Sequence, residues 1–149
     1  MVCVFLKEYS EKRKLEQCSL NNTKKLIIKD KTINAKVIDV YDGDTITVAF
    51  FLGNEIFQHK LRIYGIDCAE IRTKNLKEKK IAKQTKTVVE QLCFNNLVKI
   101  DCKGWDKYGR LMGTVRKGKI DIGQYLLDRG LAYPYNGKKK QKFNEWYRE

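Results

Sequence analysis

Residues 33–66 read INAKVIDVYDGDTITVAFFLGNEIFQHKLRIYGI. Apolar and β-branched residues alternate with polar ones in three runs, 33–41, 45–52 and 55–66, and this period of two puts every second side chain on one face of a strand. Asp42-Gly43 separates the first two runs, where a glycine able to take positive φ favours a tight hairpin turn, and Leu52-Gly53-Asn54 offers a second turn. The stretch is therefore expected to fold as three antiparallel strands of a meander. Leu26-Ile27-Ile28-Lys29-Asp30 reads as a further short strand ahead of it.

Beyond this meander the period changes. Ile81, Thr85, Val88, Val89, Leu92 and Cys93 recur at steps of three and four, which predicts an amphipathic helix over 75–96 that Asn95-Asn96 ends. LVKIDCKGW (97–105) and RLMGTVRKGKI (110–120) return to strand character, joined by the polar DKYG and closed by a Lys117-Gly118 turn. Asp121 is placed to cap a short helix that runs to Gly130. The tail KKKQKFNEWYRE (138–149) reads as a last helix laying Phe143 and Trp146 on the body, or as a solvated lysine-rich arm. Residues 1–22, polar and mixed in charge, form an accessory arm or helix, and residues 23–149 form the main domain. About five short strands with a helix after the third fit a small Greek-key barrel of the OB type, or an open sheet covered by helices.

The chain has 149 residues, enough for one ordinary domain, with 42% hydrophobic and 33% charged residues, so it can bury a core. No apolar run approaches the roughly 18 residues of a membrane span. Thirty-one Lys and Arg against 18 Asp and Glu give a net charge of +13, nearly all of it on residues 21–149. A field of that sign favours a polyanion, with nucleic acid the leading partner class. Five cysteines without a C-x-x-C spacing argue against a disulfide scaffold or a zinc site, and are read as reduced thiols of an intracellular protein. A single histidine, His59, excludes mechanisms that need a pair and is itself read as a surface residue.

Three segments carry chemistry together: Tyr41-Asp42-Gly43-Asp44-Thr45, Arg62-Ile63-Tyr64-Gly65-Ile66-Asp67-Cys68-Ala69-Glu70, and Asp106-Lys107-Tyr108-Gly109-Arg110. Alone, each is an ordinary turn or connection. Together they bring carboxylates to strand ends beside two arginines, in a chain with 7 Arg against 24 Lys. The guanidinium fork binds a phosphate bidentately, where lysine acts as a point charge. Carboxylates beside it would repel a polyanion unless a hard cation stood between, and oxygen-only ligation suits Ca²⁺ or Mg²⁺. The set points to metal-assisted phosphodiester chemistry.

In these segments, in their order, in the helix between the second and third, and in Gly130-Leu131-Ala132, residues 24–147 resemble the staphylococcal nuclease (thermonuclease) family. The resemblance implies an α+β, mainly β, five-stranded OB-fold Greek-key barrel with about three helices. It implies hydrolysis of DNA and RNA with one Ca²⁺ per active site and little sequence specificity, breaking P–O5′ bonds to leave 3′-phosphorylated products. Residue by residue, Asp44 and Asp67 resemble the calcium carboxylates, and Cys68 stands where a backbone carbonyl is the third ligand. Glu70 matches the general base, Arg62 and Arg110 match the phosphate clamp, and Lys107, Tyr108, Tyr133 and Tyr135 match the substrate-binding surface. The expected partners are single-stranded or unpaired DNA and RNA, with no membrane, for a monomeric protein.

Two departures stand out. The family's Thr-Pro ahead of the catalytic Glu is Cys68-Ala69 here, which removes the fixed φ of proline and holds Glu70 less firmly. The stretch after Tyr135 is about half as long as the family pattern. The rival reading is an OB-fold nucleic-acid-binding module without catalysis, whose affinity would fall steeply with salt and which would show no metal-dependent turnover.

Overall fold

The computed structural model of the protein describes residues 2–25 and 27–148; the side chains of Val2, Cys3 and Phe5 are outside the described set, as are Met1, Leu26 and Glu149. The meander is as expected: β1 (Thr32–Val40), β2 (Thr45–Leu52) and β3 (Glu55–Ile63) pair antiparallel in sequence order. The β2–β3 register runs from Thr45 opposite Arg62 to Leu52 opposite Glu55, leaving a two-residue turn with Gly53 at φ 64°. The short β4 (Ile66–Cys68) follows, and then helix α2 (Leu76–Cys93). Asn75 caps α2 by accepting from the Lys77 and Glu78 amides.

Two further strands, β5 (Leu97–Trp105) and β6 (Leu111–Lys117), complete the sheet, with β7 (Ile120–Asp121) at its edge. β1 pairs with β5, and β5 with β6. β6 then returns to β3 in a parallel ladder, Leu61 opposite Leu111 and Ile63 opposite Gly113. Those last pairs close five strands into a barrel, which selects the OB-type architecture over the open sheet. Register shifts at Val37/Asp39 and Cys102/Gly104 mark bulges that bend β1 and β5 around it.

Ile46, Val48, Leu61, Ile63, Ile100, Leu111 and Val115 fill the interior, each at most 1% exposed. Each such side chain contributes roughly 1.5–3 kcal/mol by leaving water. Val89 and Cys93 of α2 join this core, and α3 (Ile122–Asp128), capped by Asp121, adds Ile122 and Leu126. β8 (Ala132–Pro134) pairs with β4, and α4 (Phe143–Trp146) ends the described chain. α4 builds a second small cluster, Phe143 against Ala69, Ile81 and Ala82, so the tail is a docked helix.

The stretch expected as a strand at 26–30 is corrected. Leu26 lies outside the described residues, and residues 27–31 form no strand. Asp30 takes φ 64°, the Lys31 amide donates back to the Ile28 carbonyl, and the chain turns instead of extending. Residues 2–16 form helix α1, and its described side chains are all exposed. Among the described residues no helix is long and apolar enough to cross a membrane.

Candidate active site

The barrel closure brings the three sequence segments to one rim. Asp44 ends the β1–β2 turn, and β2–β3 pairing sets Arg62 opposite its neighbour Thr45. Asp67 lies on β4, Glu70 just beyond it, and Arg110 just before β6. Asp44, Arg62, Glu70 and Arg110, together with Lys107, Tyr108 and Tyr135, line a cleft of about 640 Å³, and Asp67 stands behind its wall, ion-paired to Arg62.

The turn before Asp44 is shaped by Asp42, whose Oδ1 accepts from the Asp44 and Thr45 amides at 3.1 and 2.8 Å. Gly43 is not at positive φ, contrary to expectation; a Cβ there would meet Thr85 Cγ2 at 2.5 Å and Cys68 Sγ at 2.9 Å. Close approach of the turn to α2 and β4 therefore selects glycine. The turn holds the Asp44 carboxylate at the cleft, where it accepts from Thr45 Oγ1 at 2.9 Å and the Cys68 amide at 3.2 Å.

Arg62 bridges the two buried aspartates, with Nη1 on Asp44 Oδ1 and Nη2 on Asp67 Oδ1 at 2.6 Å. The other Asp67 oxygen accepts from the Tyr133 hydroxyl at 2.5 Å. Burial alone would raise the Asp67 pKa, but the Tyr133 hydrogen bond, Lys140 and Arg62 outweigh it and hold the carboxyl below its usual range. Arg62 is driven in the opposite direction: burial works against its charge, yet Asp44 and Asp67 keep it firmly protonated. Asp42 is pushed up to about 6, first by burial and then by the charge of Asp44. The Cys68 thiol is enclosed, and burial followed by the neighbouring aspartates raises its pKa far up, so this sulfur is no nucleophile.

Glu70 is exposed, its side chain 53% accessible, with its amide donating to Glu78 Oε1 and its Oε1 receiving Lys140 Nζ at 2.5 Å. Arg110 is fixed from behind by Asp106: Nε donates to Oδ2 at 2.6 Å and the amide to Oδ1 at 2.9 Å. Its Nη1 reaches Thr45 Oγ1 at 3.4 Å, and its guanidinium lies over the Tyr108 ring. Lys107 also lies over Tyr108, and Arg62 over Tyr135. Tyr133 departs from the expectation for it: only 4% exposed and packed against Trp146 at 5.0 Å, it presents its hydroxyl, not its ring face, to the cluster.

Four participants escaped the sequence reading. Lys140 belongs to the tail read either as a docked helix or as a solvated arm, the Tyr133 hydroxyl acts across 66 positions on Asp67, and Asp106 looked like turn material. His59, read as a surface residue, donates from Nε2 to the Gly109 carbonyl at 2.8 Å and sets its ring edge against Trp105, tying β3 to the turn that carries Tyr108 and Arg110. Only the Asp106-to-Arg110 spacing, which allows a closed turn, was visible in advance.

Among the described residues no three His, Cys, Asp or Glu side chains form a ready metal cage. The donors that converge are oxygens, two of them on aspartates at most 5% exposed, and that chemistry fits a hard cation whose shell is completed by water, not a thiolate or imidazole metal.

Residues 60–149 match the family described as staphylococcal nuclease homologue. An endonuclease of Haemophilus influenzae, whose function is uncharacterised, is 28% identical over 100 residues, 67% of this chain and 51% of that protein. A thermonuclease of Staphylococcus hyicus is 30% identical over 112 residues, 74% of this chain and 64% of that protein. The chain thus spans between about half and two thirds of these relatives' lengths. The family match covers the inserted helix, Arg62, Asp67 and Arg110, and with the closed barrel it settles the family: the chain belongs to the staphylococcal nuclease homologues.

Proposed function

We propose that this chain is a calcium-dependent nuclease that hydrolyses phosphodiester bonds of DNA and RNA with little sequence specificity. The observation that carries the reading is the convergence of Asp44, Glu70, Arg62 and Arg110 on one cleft from separate segments of the chain, with Asp67 joined to them through Arg62. In this reading Asp44, Asp67 and the Cys68 carbonyl hold the cation, which supplies charge stabilisation at the non-bridging phosphate oxygens. Glu70, the most accessible carboxylate of the set, takes the proton of the attacking water. Water oxygen bonds to phosphorus, the P–O5′ bond breaks with its electron pair leaving on O5′, which takes a proton from solvent, and the products are a 3′-phosphate and a 5′-hydroxyl. Arg62 and Arg110 donate to the phosphate as its charge builds, and each arrives pre-oriented, Arg62 by two aspartates and Arg110 by Asp106.

Lys107, Tyr108 and Tyr135 line the cleft and offer one charge and two rings to an unpaired strand, contacts that read little sequence. Tyr133 serves through Asp67. One chain supplies all of these side chains, which supports a monomer as the active unit. The described cysteines, Cys18, Cys68, Cys93 and Cys102, are all free, which supports a reducing compartment.

Digestion of single-stranded DNA and RNA, with Ca²⁺ or with chelator, tests the reading when Glu70→Gln is run alongside. Cleavage is expected to need the ion and to fall on the order of 100- to 10,000-fold in the variant. Salt-sensitive binding without any cleavage would instead establish the non-catalytic nucleic-acid module.

A further inference from the structure

Lys140 stands on the segment between β8 and α4, and its ammonium lies 2.5 Å from Glu70 Oε1 and 3.2 Å from Asp67 Oδ1. It is held there from several directions. The Tyr135 amide donates to the Gly65 carbonyl, and the Gln141 amide donates to the Tyr133 hydroxyl, which itself donates to Asp67. Glu145 accepts from the Lys142 amide, and Phe143 is buried against Ala69, the residue just before Glu70. The 136–142 segment is thus a strap across the end of β4 and the residues just after it, and among the described residues its ion-pair link to Asp67 and Glu70 is Lys140.

A monovalent cation therefore sits against Asp67, a carboxylate assigned to the divalent one. Asp67 Oδ1 already receives Arg62 at 2.6 Å as well as Lys140 at 3.2 Å, so a divalent ion at that oxygen meets both charges, and Lys140, the longer contact and the far more accessible side chain, is the one it would displace. The same ammonium holds Glu70, which has no other side-chain ion pair among the described residues. We propose that Lys140 is a built-in counter-cation of the carboxylate cluster: it holds Glu70 and Asp67 together before the divalent ion arrives, and that ion must displace it. The inference rests on the reading of Asp44 and Asp67 as the cation's ligands. It makes ion binding and release of the strap's lysine two sides of one equilibrium.

Calorimetric titration of the full chain with Ca²⁺, without nucleic acid and at constant ionic strength, tests this in wild type, Lys140→Met and Lys140→Arg. Lys140→Met is expected to bind Ca²⁺ tighter, on the order of tenfold, the scale of one close but screened charge pair. Lys140→Arg, which keeps the charge, is expected to stay near wild type. Melting adds a second readout: Lys140→Met melts lower without the ion and gains more from saturating Ca²⁺. Should Lys140→Met not fold, Lys140→Gln, polar and nearly as long, carries the same expectation. Equal or weaker Ca²⁺ affinity in the neutral variants overturns the inference. If wild type cleaves nucleic acid with Ca²⁺ while this happens, the nuclease reading stands and only the counter-cation falls. If wild type neither binds Ca²⁺ nor cleaves, both fall together.

Discussion

Leu61 and Arg62 are neighbours on β3, and both are withdrawn from water, yet they are held by different physics. Leu61, fully buried, points into the barrel among Ile46, Ile100 and Leu111. Arg62 points to the rim, its side chain 11% accessible, clamped by aspartates that are themselves buried. The hydrocarbon side is additive and tolerant of partner identity, since apolar burial has no direction. The charged side has no tolerance: every group is satisfied by a particular atom, and removing one leaves another buried and unpaired.

Substitutions on the two faces of β3 probe that contrast directly. Arg62→Ala is expected to cost about 3–5 kcal/mol of stability, because it takes the guanidinium from buried Asp44 and leaves Asp67 with Lys140 and the Tyr133 hydroxyl alone, and to abolish cleavage as well. Leu61→Ala is expected to cost about 2–5 kcal/mol through its cavity while leaving activity, measured where the protein is folded, close to wild type. Urea denaturation beside cleavage rates checks both, and loss of activity in folded Leu61→Ala would erase the distinction between the faces. Tyr133→Phe removes only the oxygen that serves Asp67. It is expected to cost about 1–3 kcal/mol and to weaken Ca²⁺ binding in a titration; unchanged affinity would show that Arg62 orients Asp67 unaided.

The smallest effect concerns pH. In the metal-free fold Asp42 has a pKa of about 6, against an ordinary 3.8, so the folded state holds the proton more tightly than the unfolded one. Stability from this group therefore falls as pH rises from about 4 to about 6, and the full penalty is present above that. Asn at this position can still accept the Asp44 and Thr45 amides without titrating. The advantage of Asp42→Asn over wild type is expected to grow across that interval and then level off; a difference independent of pH would contradict the assignment.

The same contrast decides what could be read from the chain before its fold was known. The strands were legible because burial on one face of a sheet writes a period of two, and α2 because Ile81, Thr85 and Val89 recur every fourth residue on its buried face. The arginine and carboxylate segments were legible because each keeps its residues within a short span. The strand expected at Leu26 failed because local propensity could not register that Asp30 turns the chain. Lys140 on Glu70 and Tyr133 on Asp67 bridge 70 and 66 positions, and such contacts leave no local pattern. Gly43 was recognised as a required glycine for the wrong reason, since crowding by Thr85 and Cys68 is likewise a long-range fact.

The barrel's closing ladder has a consequence for how the molecule comes into being. Leu61 and Leu111 face each other across that parallel seam, and the residues next to them are Arg62 and Arg110. The two arginines are therefore separated until a loop of roughly fifty residues has closed, the kind of distant pairing that is entropically slow. A refolding chain can form its meander and its long helix and still lack both halves of the clamp in one place. Recovery of phosphodiester cleavage after dilution from denaturant is thus expected to lag behind recovery of helix and hairpin signals and to coincide with the sealing of the barrel.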